Sequence, residues 1–318
     1  MGINLGKQIK AAIRKFPALY ELFRRSRRYI VEITGPKTPE TYAALKKLRE
    51  SYRLPAADPS LLKTRVSIHN CVSNALDMLQ LSSETLIENA GTDNFDYIVV
   101  TWNSNQDVLC YLNNLKKKYE PRGIGVHIST YQTNPRIGFI PNLRAMINQG
   151  FEEGFRLNEY AGLVNTDQAF APGWLEQLII FMGEDRVISS ITVDAGVFYG
   201  GIGPIRTRNF GRPTKSEFQY QSFVDYAKRI SKPNKVSRCN RLITGFPYLF
   251  HRKWWNKCGP WELHQIPGFA SPDVRFFTKL FALGVRNLWA NGSVCYHWGA
   301  AERLEYSRHS EAKQMPEE

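Results

Sequence analysis

The sequence holds no run of the roughly 20 apolar residues needed to cross a bilayer, and its N-terminus scatters charge where a signal peptide needs an apolar centre. It also holds no CxxC pair. The five cysteines, Cys71, Cys110, Cys239, Cys258 and Cys295, are odd in number and widely spaced, so neither a disulfide framework nor a zinc site is indicated. They read as reduced, mostly buried thiols. Internal repeats and low-complexity tracts are missing too, so the chain is neither a solenoid nor a disordered linker. The expectation is a cytoplasmic protein, with a peripheral place at the inner face of the membrane left open by the charge pattern.

What is present is a chain of 318 residues with 43% hydrophobic content, enough to bury a full core. The net charge is +13, but it is unevenly spread: residues 1–65 carry 15 Lys and Arg against 5 Asp and Glu, a net +10. The remaining residues are close to neutral at +3. In the basic stretch Leu5, Ile9, Ala12, Ile13, Phe16, Tyr20 and Phe23 recur at three- and four-residue intervals with Lys7, Lys10, Arg14, Lys15, Arg24 and Arg25 between them. That pattern predicts a basic amphipathic helix or pair of helices, interrupted at Pro17. A second helix is expected over Pro39 to Tyr52, ahead of a Pro-rich linker. Residues 1–59 are accordingly an extension, 60–300 the main domain with halves at 60–195 and 196–300, and 301–318 a polar tail.

Within the main domain, short β-rich runs alternate with helical patterns. Strands are predicted at Val66 to His69, Tyr97 to Thr101, Gly125 to Ser129, Tyr160 to Val164 and Val187 to Val193. Helices are predicted at Ala75 to Asn89, Val108 to Tyr119, Asn142 to Gly154 and Gly173 to Met182. A loop containing Gly200-Gly201-Ile202-Gly203-Pro204 breaks the rhythm, followed by a helix through Phe218 to Ile230. Further elements are a strand at Leu242 to His251, helices from Lys253 and from Asp273 to Leu283, and strands at Val285 to Trp289 and Val294 to Tyr296. This alternation predicts an α/β fold, a mostly parallel sheet with helices on both faces and a ligand crevice at the carboxyl ends of the strands.

The most informative stretch is Tyr160 to Glu176, where an apolar strand ends in Asn165-Thr166-Asp167 and a Pro172-Gly173 turn starts a new helix. Here the chain resembles GT-A fold glycosyltransferases of the family-2 type, whose corresponding strand ends in an Asp-x-Asp or Asn-x-Asp metal motif. Asn134 to Asn148, with Asn134, Gly138 and Asn142, resembles the segment the family places upstream of that motif, and Ile98 to Ser104, with Thr101 and Asn103, sits where the family has "vvDngS". Thr244-Gly245 through Gly259 resembles the acceptor-side segment. Ser271-Pro272-Asp273 and Tyr296-His297-Trp298-Gly299 resemble the family's "eDvdl" and "vyHhg". In order and spacing the likeness runs from Arg65 to Gly299.

The resemblance implies a metal-dependent, inverting transfer of a hexosyl or pentosyl group from a nucleotide-diphosphate sugar. Asp167 and His297 would hold Mn²⁺ or Mg²⁺, which stabilises charge on the leaving diphosphate. Asp273, at a helix start, would be the general base. The donor would lie against His69, Asn70, Thr101, Asn103, Asn134, Gly138, Asn142, Asn165 and Gly245. Each assignment has a plainer rival: Asp167 as a turn residue, Asp273 as a helix cap, His297 as a core histidine. Trp254, Trp255 and Trp261 read as sugar platforms or, with more support, as core.

Some positions depart from the family pattern. Thr101 stands where relatives place an Asp that reads uracil, Asn165 replaces the first Asp of the metal motif, and Pro272 replaces a Glu. Uridine as donor base is weakened by the first two of these without being excluded. A nucleotidyltransferase would need a Gly-rich phosphate loop after the first strand, where this chain has His69-Asn70-Cys71-Val72-Ser73-Asn74. A non-catalytic sugar-binding relative remains open at this level. So does the acceptor: a glycan or lipid-linked glycan, with residues 3–30 on an anionic membrane surface, or a hydroxylated base in DNA, with Arg206, Arg208 and Arg212 beside it. A third reading has the basic helix merely packed on the domain or on a partner subunit.

Overall fold

The structure is a computed structural model that describes residues 53–195, 206–238, 247–264 and 272–299. The predicted amphipathic extension, the helix at 39–52, the loop at 200–204, the first part of the strand at 242–251 and the polar tail lie outside the described residues.

The first strand, β1 (Val66–Val72), is buried along its whole length, as expected of a strand covered on both faces. It pairs in parallel with β2 (Phe95–Thr101) and with β4 (Tyr160–Leu163), and β2 pairs in parallel with β3 (Gly125–Thr130). Helices α1 (Leu76–Glu88) and α2 (Gln106–Tyr119) connect β1 to β2 and β2 to β3. Their apolar residues Leu79, Leu86, Val108, Leu112 and Leu115 join Val66, Ile68 and Val72 in one core layer. Helix α2 starts where the Asn105 side chain accepts from the Val108 N–H at 3.0 Å, and its last turn carries Lys116, Lys117 and Lys118, which oppose the negative end of the helix dipole.

Helix α3 (Phe139–Leu157) connects β3 to β4 and covers the other face of the sheet. It lies close to β1: a Cβ on Gly150 would come within 2.3 Å of the His69 ring. Phe151 and Phe155 of α3 lead the second core, with Tyr248, Phe250, Trp255, Trp261, Phe276 and Phe277. Trp255 and Trp261 are therefore core residues and Trp254 packs against that core, in line with the plainer sequence reading.

Beyond β4 antiparallel strands enter the sheet. Among the described residues the order is β3-β2-β1-β4-β9-β6-β10-β5, with β7 on β6 and β8 on β10. Strand β9 (Tyr248–His251) runs antiparallel between β4 and β6 (Arg186–Asp194), and β10 (Arg286–His297) runs parallel to β6. Where two strands were expected near the C-terminus there is one, β10, whose register against β6 shifts between Ala290 and Val294. Asn291-Gly292-Ser293 is thus a bulge rather than a turn. The three-residue strand β5 (Gln168–Phe170), and the short β7 (Arg206–Thr207) and β8 (Val236–Arg238), were not expected from the sequence. The remaining helices are α4 (Trp174–Ile179), α5 (Tyr220–Ile230), α6 (Arg252–Cys258) and α7 (Pro272–Ala282). Helices cover both faces and the sheet is mostly parallel, as expected, with antiparallel strands β9, β5 and β8 added in its second half.

Candidate active site

Parallel strands deliver their carboxyl ends to one edge of the sheet, and four of the predicted residues meet there. Strand β4 ends at Leu163, and the next residues turn under tight control: the Gln168 side chain accepts from the Asn165 N–H at 2.8 Å, and the Thr166 hydroxyl donates to Asn70 Oδ1 at 3.0 Å and to the Cys71 carbonyl at 2.8 Å. The chain then reverses into β5, which pairs antiparallel with the end of β10, so that Gln168 lies opposite His297. Asp167 is held just ahead of that pairing, its carbonyl accepting from the Trp298 N–H at 3.1 Å. The outcome is a side-chain pair: Asp167 Oδ1 lies 3.4 Å from His297 Nε2.

A third residue completes the arrangement. Strands β6 and β10 are parallel neighbours, and their register sets Asp194 beside His297, with Asp194 Oδ2 at 3.3 Å from His297 Nδ1. Asp194 is fully buried, and Asp167 and His297 are nearly so, with 4% and 9% of their surface accessible; Asp194 backs the pair. Sequence reading missed Asp194. It ends a strand with no motif around it, and only the juxtaposition of β6 with β10 gives it a partner.

This donor set suits a divalent cation. Two ligands of one ion with bonds of about 2.1 Å stand roughly 3 Å apart, close to the Asp167–His297 separation. With Nδ1–H donating to Asp194, the imidazole turns its Nε2 lone pair towards Asp167, the carboxylate–histidine arrangement that orients a metal ligand. Among the described residues no group of three or more His, Cys, Asp or Glu side chains could hold one ion. Asp194 is occupied with the far side of the ring, so Asp167 and His297 are the two side chains that would face such an ion.

The other predicted residues divide into groups. Asn70 is fully buried and its side chain donates to the Tyr97 hydroxyl at 3.1 Å while accepting from Thr166, so it supports the Asn165–Asp167 loop from beneath. Thr101 ends β2 and is buried, its hydroxyl donating to the Ser129 carbonyl at 2.9 Å. Asn103 adopts a left-handed conformation with φ of 48°, a backbone state that Asn tolerates better than most residues. Its carbonyl accepts from the Asn74 side chain at 3.0 Å. Trp102, between them, stacks on Phe139 and donates to the Thr133 hydroxyl at 2.5 Å.

Asn142 fastens the neighbouring loop. Its Oδ1 accepts from the Tyr131 hydroxyl at 2.8 Å and the Asn134 N–H at 2.9 Å, and its Nδ2 faces the carbonyls of Asn134, Ile137 and Gly138. Asn134, Gly138 and Asn142 are therefore one loop-and-helix-start unit in which Asn142 is wholly engaged with protein atoms.

His69 corrects the sequence reading. It sits in the middle of β1, with its ring 4.2 Å from Phe151 and under Gly150, fully buried. Burial pushes its imidazole down to about 3, outweighing the opposing backbone of Gly162. It is a neutral core histidine away from the strand ends. Asp273 is the second residue of α7, at the helix start where a carboxylate was expected. Gly245 lies outside the described residues. Of the basic residues considered for an acceptor, Arg208 lies over the rings of Phe210 and Tyr226 at 5.2 and 5.0 Å, and Arg212 is exposed near Glu217.

No protein-family model matches the chain, and no curated protein matches it by sequence. Solved structures do match it in shape. A mannosyltransferase, PcManGT from Pyrobaculum calidifontis in complex with GDP-Man and Mn²⁺, is similar at a TM-score of 0.50 and 14% identity, over 84% of this chain and 65% of that one. GalNAc-T7 with UDP, GalNAc and Mn²⁺ gives a TM-score of 0.49 at 12% identity, over 83% of this chain and 53% of that one. TarS from S. aureus gives 0.47 at 11%, over 76% and 62%. The chain thus spans less than two thirds of each of these chains. At such identities the likeness is one of fold alone, and the fold is that of GT-A type glycosyltransferases.

Proposed function

We propose that this chain is a metal-dependent glycosyltransferase that moves a hexosyl or pentosyl group from a nucleotide-diphosphate sugar to a hydroxyl acceptor with inversion. The observation that carries the reading is the Asp167–His297 pair backed by Asp194 at the carboxyl edge of the sheet. Asp167 and His297 would hold Mn²⁺ or Mg²⁺. When bound, that ion supplies Lewis-acid stabilisation of the charge left on a departing diphosphate.

The chain's own residues do the rest. Asn165 and Thr166 fix the loop that presents Asp167, and Asp194 keeps the His297 proton on Nδ1. The unit of Asn134, Gly138 and Asn142 shapes the wall beyond the ends of β2 and β3, where Thr101 and Asn103 stand. Asp273, early in α7, takes the proton from the acceptor hydroxyl, and a base on the face opposite the leaving group implies direct displacement. Residues 60–195 form the donor half and 196–300 the acceptor half. The basic residues 3–30 hold the enzyme at the inner, anionic face of the membrane.

Calorimetric titration with a panel of nucleoside diphosphates tests the reading. Binding should require Mn²⁺ or Mg²⁺, and Asp167→Ala should abolish it while the melting temperature stays within a few degrees of wild type. Binding of equal strength in EDTA would refute the metal assignment.

A further inference from the structure

The charge of the main domain is concentrated in one place. Residues 206–238 carry nine Lys and Arg against two acids, a net +7, while the rest of the chain beyond residue 65 carries 18 against 22, a net −4. Arg206, Arg208, Arg212, Lys215, Lys228, Arg229, Lys232 and Lys235 are all exposed. Lys215 pairs with Glu84 and Arg212 with Glu217, and the other six make no ion pair among the described residues.

These six lie along a path that begins at the candidate active site. Strand β10 occupies one edge of β6, β9 the first half of the other, and β7 the remaining end, so Thr207 stands in register with Asp194. The Arg208 N–H donates to the Asp194 carbonyl at 3.0 Å. Arg208 and Arg229 then lie over the same ring, Tyr226 of α5, at 5.0 and 5.7 Å, which ties β7 to the end of that helix. From there the chain passes to Lys232 and Lys235, anchored on the β10 bulge by hydrogen bonds of 2.8 Å to both sides of Asn291. Two guanidiniums over one ring and four cations between Lys228 and Lys235 repel one another unless an anion lies across them.

The character of the surface narrows the ligand. Among the described residues the Phe, Tyr and Trp rings are buried or half-buried, and Tyr226, the half-buried ring on this path, already carries Arg208 and Arg229 over it. Binding of single-stranded nucleic acid needs aromatic platforms for bases. Here charge is offered without stacking. Cations this closely spaced along a chain suit a polymer with an anionic group in every backbone unit, and guanidinium groups match phosphate oxygens two at a time.

We propose that the acceptor is a base-free polymer linked by phosphodiesters, a polyol-phosphate or glycosyl-phosphate chain, tracked along β7, the end of α5 and the turn through Lys235 into the active site. This rests on the glycosyltransferase reading for the word acceptor, while the binding track stands on charge and geometry alone. The full-length protein and its Lys228→Gln/Arg229→Gln/Lys232→Gln/Lys235→Gln variant are titrated with poly(glycerol phosphate) across a salt series, without metal or donor. The variant should bind at least tenfold more weakly, and the slope of log Kd against log salt should fall by about 3, at roughly 0.7 for each lost phosphate contact. An unchanged affinity and slope would overturn the track.

Three further probes separate the sources of charge. A dT oligonucleotide of equal charge that binds the wild type tenfold tighter than poly(glycerol phosphate), a hyaluronan chain that does so, or a loss seen only with phosphatidylglycerol vesicles would each overturn the assignment to a base-free phosphodiester. Donor titration with Mn²⁺ on the same wild-type sample reads the enzyme assignment separately. Polymer binding without donor binding sinks the transferase reading and spares the track; the reverse sinks the track alone.

Discussion

Replacement of Asp194 tests the site where the structure adds most to the sequence. Asp194 is fully buried and meets His297 Nδ1 at 3.3 Å, on the far side of the ring from Asp167. If His297 binds the metal as proposed, removing such a partner should cost 10- to 100-fold in metal affinity, which corresponds to about 1.4 to 2.8 kcal/mol. Asp194→Ala deletes the acceptor altogether, so the ring can rotate or place its proton on Nε2, where it blocks ligation. It should fall at the upper end. Asp194→Asn keeps the shape and can still accept through its amide oxygen, but its NH₂ can instead donate to Nδ1 and reverse the tautomer. It should fall nearer the lower end. Titration of free Mn²⁺ by electron paramagnetic resonance, with and without a nucleoside diphosphate, measures the affinity directly, and thermal melts on the same samples report the fold. A folded Asp194→Ala protein that binds Mn²⁺ like wild type would refute the reasoning, as would wild-type protein that binds no Mn²⁺ in the presence of the diphosphate.

Other perturbations probe separate parts of the molecule. Asp273→Asn should leave donor affinity nearly constant while single-turnover transfer drops about 10² to 10⁴-fold; a purely capping role predicts a lower melting temperature with normal transfer per folded molecule. His69 is neutral in the folded state with its ionisation pushed down to about 3, against an ordinary value of 6.5, so the unfolded chain binds the extra proton first as pH falls. Its contribution to stability is full above pH 6.5 and is lost progressively towards pH 3, by up to about 1.4 kcal/mol per unit. Denaturant unfolding of His69→Leu should show a correspondingly flatter pH dependence below 6.5, and identical slopes would contradict the core placement. Asn142→Ala leaves the Asn134 N–H and the Tyr131 hydroxyl without their shared acceptor, at a cost of about 1–3 kcal/mol, read as a fall in melting temperature together with weaker donor binding.

Much of this molecule was legible before any coordinates. The alternation of apolar strands and amphipathic helices from Val66 to Ile179 is a local property, because period and burial are written residue by residue, and the parallel half of the sheet follows it closely. That Asp167 and His297 come together was legible in the motifs around them. What the sequence left undetermined depends on contacts between distant segments. β5 is three residues long, too short to show a period, and exists because β10 offers it an edge. The antiparallel insertion of β9 into an otherwise mostly parallel sheet had no local signal, since strand direction is set by where the chain returns and not by the strand's own residues. His69 looked like a strand-end ligand only while β1 was thought to stop there; the strand runs on to Val72, which moves the ring into the core against Gly150 and Phe151. Asp194 carries no local signature at all. Its role comes from the register of two parallel strands about 100 residues apart in sequence, where one carboxylate is placed against one ring nitrogen.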